Sequence, residues 1–172
     1  MRGKRPWRDH PARDELQKLY AEVEVLVAGC SCTCANATGP DDARCCQFGV
    51  TGREPYPTPV ELCEVDLAMR ALGGRRTSSP RPTTRRSTLP LVRDHGACPL
   101  LGDDGRCSIY ASRPFGCRTF FCAGHEPSRK NRDAIQSIGR RIGDLAARVF
   151  PRAPLPRPFT RALAGTLPSP DD

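Results

Sequence analysis

The sequence predicts a small, α-rich α+β domain organised by metal, with amphipathic helices backing a cysteine-bearing core of loops and one β-hairpin. Three observations carry that prediction. Two segments repeat apolar residues at helical spacing. Ten cysteines occur in 172 residues. Four of those ten fall in the single stretch "CPLLGDDGRCSIYASRPFGCRTFFC" (98–122), where two short apolar runs flank a polar turn.

In chain order, the basic, proline-containing start (1–11) reads as a disordered N-terminus. In "ARDELQKLYAEVEVLVAG", Leu16, Leu19, Tyr20, Val23, Leu26 and Val27 share one face, and Gly29 suits a stop; this predicts a helix over about 12–28. "CSCTCANATGPDDARCC" reads as a loop, because Gly39-Pro40 and Asp41-Asp42 break regular structure. "TPVELCEVDLAMRAL" predicts a second helix with Thr58 as N-cap and Pro59 in its first turn. Val60, Cys63, Leu67 and Ala71 make its inner stripe, while Glu61, Glu64 and Asp66 are expected on its outer side. Residues 73–90, rich in Gly, Arg, Ser and Pro, read as a flexible basic insert.

"CPLL" and "RCSIY" around "GDDG" predict the hairpin, and "ASRPFGCR" a turn, since Pro114 disfavours helix at Arg113. Ile135, Ile138, Ile142, Leu145 and Val149 predict a helix over about 129–150, ended by Pro151. The proline-rich 151–172 is expected to run as an extended tail that peels away. Residues 12–150 thus form one cysteine-cluster domain, and with 38% apolar residues its hydrophobic margin is thin enough for a metal to matter.

The net charge of +8 rests on 27 basic residues, of which only Lys4, Lys18 and Lys130 are lysines. It permits an acidic partner without requiring one, and the arginines cluster mainly in segments that read as disordered, so nucleic acid is not the expected partner. No apolar stretch follows the basic start, and "VEVLVAG" is short and interrupted by Glu24; neither an export signal nor a membrane span is expected. The expected location is the cytoplasm, where thiols stay reduced and a cysteine-dense chain points to metal ligation over disulfides.

The thiols fall into two groups: Cys30, Cys32, Cys34, Cys45 and Cys46, then Cys98, Cys107, Cys117 and Cys122. Their gaps match neither the two-residue spacing of zinc ribbons nor the runs of bacterial ferredoxins, so density is the stronger signal. Adjacent Cys45 and Cys46 would point to opposite faces of an extended chain, suiting two metals or one metal and the core; Cys32 and Cys34 would share a face. Arg106, Arg113 and Arg118 flank the second group, where positive charge lowers thiol pKa values and offsets the charge of several thiolates. His125 is a weaker candidate ligand; His10, His95, Asp103 and Asp104 form no catalytic pattern, and no catalytic residue is assigned.

The stretch Cys98-Pro99-Leu100-Leu101, Cys107-Ser108-Ile109-Tyr110, Arg113-Pro114, Cys117-Arg118, Cys122 resembles the YkgJ-type cysteine-cluster family, a zinc- or iron-chelating domain. "ARCCQFGV" and "TPVEL" resemble its first half, carrying over Cys45, Cys46, Thr58 and Glu61. The chain departs from the pattern in the ten residues between Cys34 and Cys45. The resemblance implies metal or iron–sulfur chelation and little about a reaction. A similar domain accompanies flagellin lysine methylases, although no methylase cofactor site is recognisable here.

The expected ligands are Cys32, Cys34, Cys45, Cys46, Cys98, Cys107, Cys117 and Cys122, with Cys30 competing for an upstream position and Cys63 ranked last. The expected cofactor is an iron–sulfur cluster or zinc, in a module that also has a protein partner in prospect. The competing reading is a structural zinc module that contacts nucleic acid through Arg75, Arg76, Arg81, Arg85 and Arg86. A thiol redox enzyme is disfavoured by the lack of C-x-x-C.

Overall fold

The computed structural model describes residues 6–28, 44–73, 96–102, 104–121, 126–153 and 155–168. Six α-helices occur among them: α1 (Pro11–Val27), α2 (Phe48–Thr51), α3 (Pro59–Ala71), α4 (Phe115–Arg118), α5 (Arg129–Val149) and α6 (Phe159–Ala164). Short 3-10 turns occur at Trp7–Asp9, Arg44–Cys46 and Tyr110–Ser112.

The three long helices form where the apolar spacing puts them. Pro11 opens α1, where its missing N–H costs nothing, and His10 Nδ1 accepts the Ala12 N–H at 3.2 Å. Ser128 caps α5 by accepting the Asn131 N–H, and Pro151 follows its end. Leu16, Leu19, Tyr20 and Val23 of α1 meet Ile135, Ile138, Ile142 and Leu145 of α5 in the first apolar core. Exposed ion pairs, Glu22–Arg141 and Glu15–Arg148, run along the outside of the same seam.

α3 serves two cores at once. Val60 and Cys63 enter the first; Leu62, Val65 and Met69 enter a second, with Cys46, Phe48, Cys98, Ile109, Phe159 and Leu163. Every residue from Pro57 to Val65 is therefore buried, as a helix clasped on both sides requires. Glu61 and Glu64, expected outside, are each only 3% exposed. They survive burial because they are paired. Glu64 receives the Trp7 indole N–H and both nitrogens of an Arg13 fork. Glu61 receives the Thr58 and Phe115 N–H groups and the Thr58 and Tyr20 hydroxyls.

The expected α+β, metal-organised fold is not what forms. The described residues are mainly helical and contain no strand; only two isolated antiparallel bridges occur, Leu101–Cys107 and Gln47–Ala97. The "GDDG" turn does reverse the chain, with Gly105 at φ 74° and Gly102 N–H bonded to Arg106. It cannot grow into a hairpin, because Pro99 has no N–H to offer a ladder and the chain coils into a 3-10 turn at Tyr110. Apolar packing organises the described fold: among its residues no group of three or more His, Cys, Asp or Glu stands ready to hold a metal ion.

Both ends of the described chain are also more ordered than their composition suggests. Trp7, at 7% exposure, packs into the first core. The segment expected to peel away instead docks. Arg157 and Phe159 donate their N–H groups to the Pro57 and Pro55 carbonyls, and Phe159, Ala162, Leu163 and Leu167 enter the second core. Nearly all of the insert 73–90 lies outside the described residues. No described helix is long and apolar enough to cross a membrane.

Candidate functional site

Five cysteines reach one cavity from four separate pieces of chain. The 3-10 turn Arg44–Cys46 presents Cys45 and Cys46. Both sulfurs face the same cavity, with Sγ atoms 3.9 Å apart. The expectation of opposite faces fails because it assumed extended chain, and a 3-10 turn does not alternate its side chains. Cys98 is held beside them by its own N–H, bonded to the Cys46 carbonyl at 2.6 Å next to the Gln47–Ala97 bridge. Cys107 comes from the far side of the GDDG turn, fixed by the Leu101 bridge. Cys117 projects from α4, one turn after Pro114 starts that helix.

The cavity encloses about 30 Å³, and Phe48, Ile109 and Phe159 form its apolar wall. That is room for one or two water-sized occupants. None of the six described cysteines is in a disulfide. The cavity gathers the sulfurs without yet closing them into a ligand shell.

Close packing of thiols separates their proton affinities. The Cys107 thiol is lowered to about 7, chiefly by its hydrogen bond with Cys46 and in part by the Arg113 charge. Cys46 is pushed up, first by that same bond, so one proton is shared unequally by the pair. Cys117 is raised by burial and by the neighbouring sulfurs of Cys98 and Cys107.

Two arginines line the cavity as well, and a carboxylate holds both. Glu24 Oε1 accepts from Arg118 at 2.5 Å and from Arg113 at 3.2 Å. Arg118 is buried, with the Tyr20 ring 4.0 Å from it and its other two nitrogens donating to the Arg113 and Ala111 carbonyls. Arg113 stacks on Tyr110 at 3.8 Å. Arginine suits this role, since its planar fork can be stacked and bonded at once. Arg106, expected to take part, is exposed and does not line the cavity.

Cys32, Cys34 and Cys122, together with Cys30, His95 and His125, lie outside the described residues. Cys63, ranked last among the candidate ligands, is buried, does not line the cavity and donates to the Pro168 carbonyl at 3.2 Å. Sequence reasoning missed Glu24 and Phe159. Glu24 did leave a signal, as a lone charge inside the apolar run "VEVLV"; Phe159, in a proline-rich tail, left none. In comparisons with known proteins, no family model matches the chain, and neither does any curated protein or solved structure.

Proposed function

We propose that the protein is a metal-chelating cysteine-cluster module that carries an iron–sulfur cluster or, as the colourless alternative, zinc. Cys45, Cys46, Cys98, Cys107 and Cys117 supply sulfur, joined by Cys122 and by Cys32 and Cys34. The observation that carries this reading is five cysteines around one small cavity, drawn from segments as far apart in sequence as Cys45 and Cys117. A tetrahedral centre with metal–sulfur bonds of about 2.3 Å separates its sulfurs by about 3.8 Å. The Cys45–Cys46 separation of 3.9 Å suits that spacing. When bound, such a centre supplies cross-linking and, for iron, electron transfer. The chain's own residues deprotonate readily at Cys107, balance thiolate charge with Arg113 and Arg118, and shut out water with Phe48, Ile109 and Phe159.

The module acts where thiols remain reduced, in the cytoplasm, and any reaction belongs to a protein partner. Anaerobic purification followed by absorbance and metal analysis tests the reading. Brown protein with iron and acid-labile sulfide is the expected result, and stoichiometric zinc would establish the alternative. Protein that retains neither metal, and binds neither after reduction, would end both. Replacing Cys46 or Cys98 by Ser should lower the bound metal, whereas Cys63→Ser should leave its stoichiometry unchanged.

A further inference from the structure

A second, wider cavity opens against the first. Its volume is about 300 Å³, within the range of small-molecule sites. Cys45 and Cys117 line both cavities, so the wide cleft and the sulfur site share a wall. Arg53 lines the cleft, its guanidinium 5.6 Å from the Phe120 ring. Glu54 also lines the cleft, but its Oε1 is taken up by the N–H and hydroxyl of Thr160, each at 2.6 Å. Among the described residues, Arg53 is the one basic side chain that lines the cleft.

We propose that this cleft binds a low-molecular-weight thiol bearing a carboxylate, and that such a thiol delivers the metal ion to the cysteines. The thing recognised has a soft sulfur end, directed to Cys45 and Cys117, and an anionic end, paired with Arg53. The fork of an arginine matches a carboxylate with two parallel hydrogen bonds. Delivery is ligand exchange. Each protein thiol that becomes a ligand gives its proton to solvent, each carrier thiolate released takes one up, and no electron changes hands. The inference rests on the metal-binding reading.

The test follows uptake of cobalt(II) by reduced, metal-free, full-length protein, read from the growth of thiolate-to-cobalt absorbance. Cobalt is offered as the free ion, as its complex with 3-mercaptopropionate, or as its complex with neutral 2-mercaptoethanol. The expected result is uptake several-fold faster from the mercaptopropionate complex than from the mercaptoethanol complex. Arg53→Gln should abolish that preference and Arg53→Lys restore part of it. Arg140→Gln, at an exposed site on α5, should leave it intact, which separates the cleft from the general attraction of a basic protein. Equal rates from both complexes, or a preference that survives Arg53→Gln, would overturn the carrier site while leaving metal binding standing. Failure to bind free cobalt would instead sink the metal-binding reading, and this inference with it.

Discussion

Glu61 shows how much one residue can carry. Its carboxylate sits under the start of α3 and receives four hydrogen bonds: from the Tyr20 hydroxyl, from the N–H and hydroxyl of Thr58, and from the Phe115 N–H at 2.6 Å. It thereby ties α1 and α3 to α4, the helix that bears Cys117. Burial raises its pKa above the usual 4.5, against the pull of those donors. A carboxyl whose folded pKa is raised contributes most stability below about 4.5 and loses it as pH climbs through the raised value. All four neighbours are donors, so a Gln amide would turn an N–H₂ toward at least one of them. Glu61→Gln should cost about 1–3 kcal/mol in urea unfolding at neutral pH, and should remove this group's pH dependence. A variant as stable as wild type at pH 7 would show that the four bonds contribute nothing net.

At the scale of the element, α5 is the cleanest helix to alter. Gly139 and Gly143 both lie in its interior, where glycine costs backbone entropy. They differ in surroundings. A Cβ at Gly143 would meet nothing within 4 Å, whereas one at Gly139 would come within 3.1–3.2 Å of the Phe115 ring. Gly143→Ala should therefore stabilise the protein by about 0.5–1 kcal/mol, measured as a rise in denaturation midpoint with unchanged slope. Gly139→Ala should gain less, because Phe115 must yield. Equal gains at both positions would mean that the Phe115–α5 contact is loose. The GDDG loop teaches the opposite lesson about elements. Its alternating apolar runs are real, but one bridge is all that a run with Pro99 at one end and a 3-10 turn at the other can make.

Across the whole molecule, the two apolar cores share α3, and the sulfur cavity lies on the second of them. Phe159 belongs to both the core and the cavity wall, at 2% exposure. The docked C-terminal segment thus supplies part of the cavity wall. Phe159→Ala should cost about 3–5 kcal/mol and, on the metal-binding proposal, speed loss of that metal to a chelator at denaturant concentrations where the variant remains folded. Metal release at the wild-type rate from folded variant would show that the tail merely covers the site. The exposed Glu22–Arg141 and Glu15–Arg148 pairs carry little of the stability by comparison.

Local chemistry was enough to read α1, α3 and α5, the Thr58 cap and the inner faces of α1 and α5, because helical spacing, Thr58-Pro59 and Pro151 act over a few residues. The inner stripe read for α3 was right at Val60 and Cys63 but not at Ala71, which is exposed. Local chemistry also singled out the cysteines, since ten thiols are conspicuous wherever they fold. What needed the third dimension was everything that depends on a distant neighbour. Glu61 and Glu64 look like surface carboxylates until Tyr20, Phe115, Trp7 and Arg13 arrive from elsewhere in the chain. Phe159 looks like part of a loose tail until the backbone of residues 55–57 receives it. The side to which Cys45 and Cys46 point was settled by a turn that adjacency alone does not encode. Composition and spacing report what a segment prefers on its own. Burial of charge, docking of a proline-rich segment and convergence of sulfurs are bought by long-range contacts, and only the assembled fold contains those.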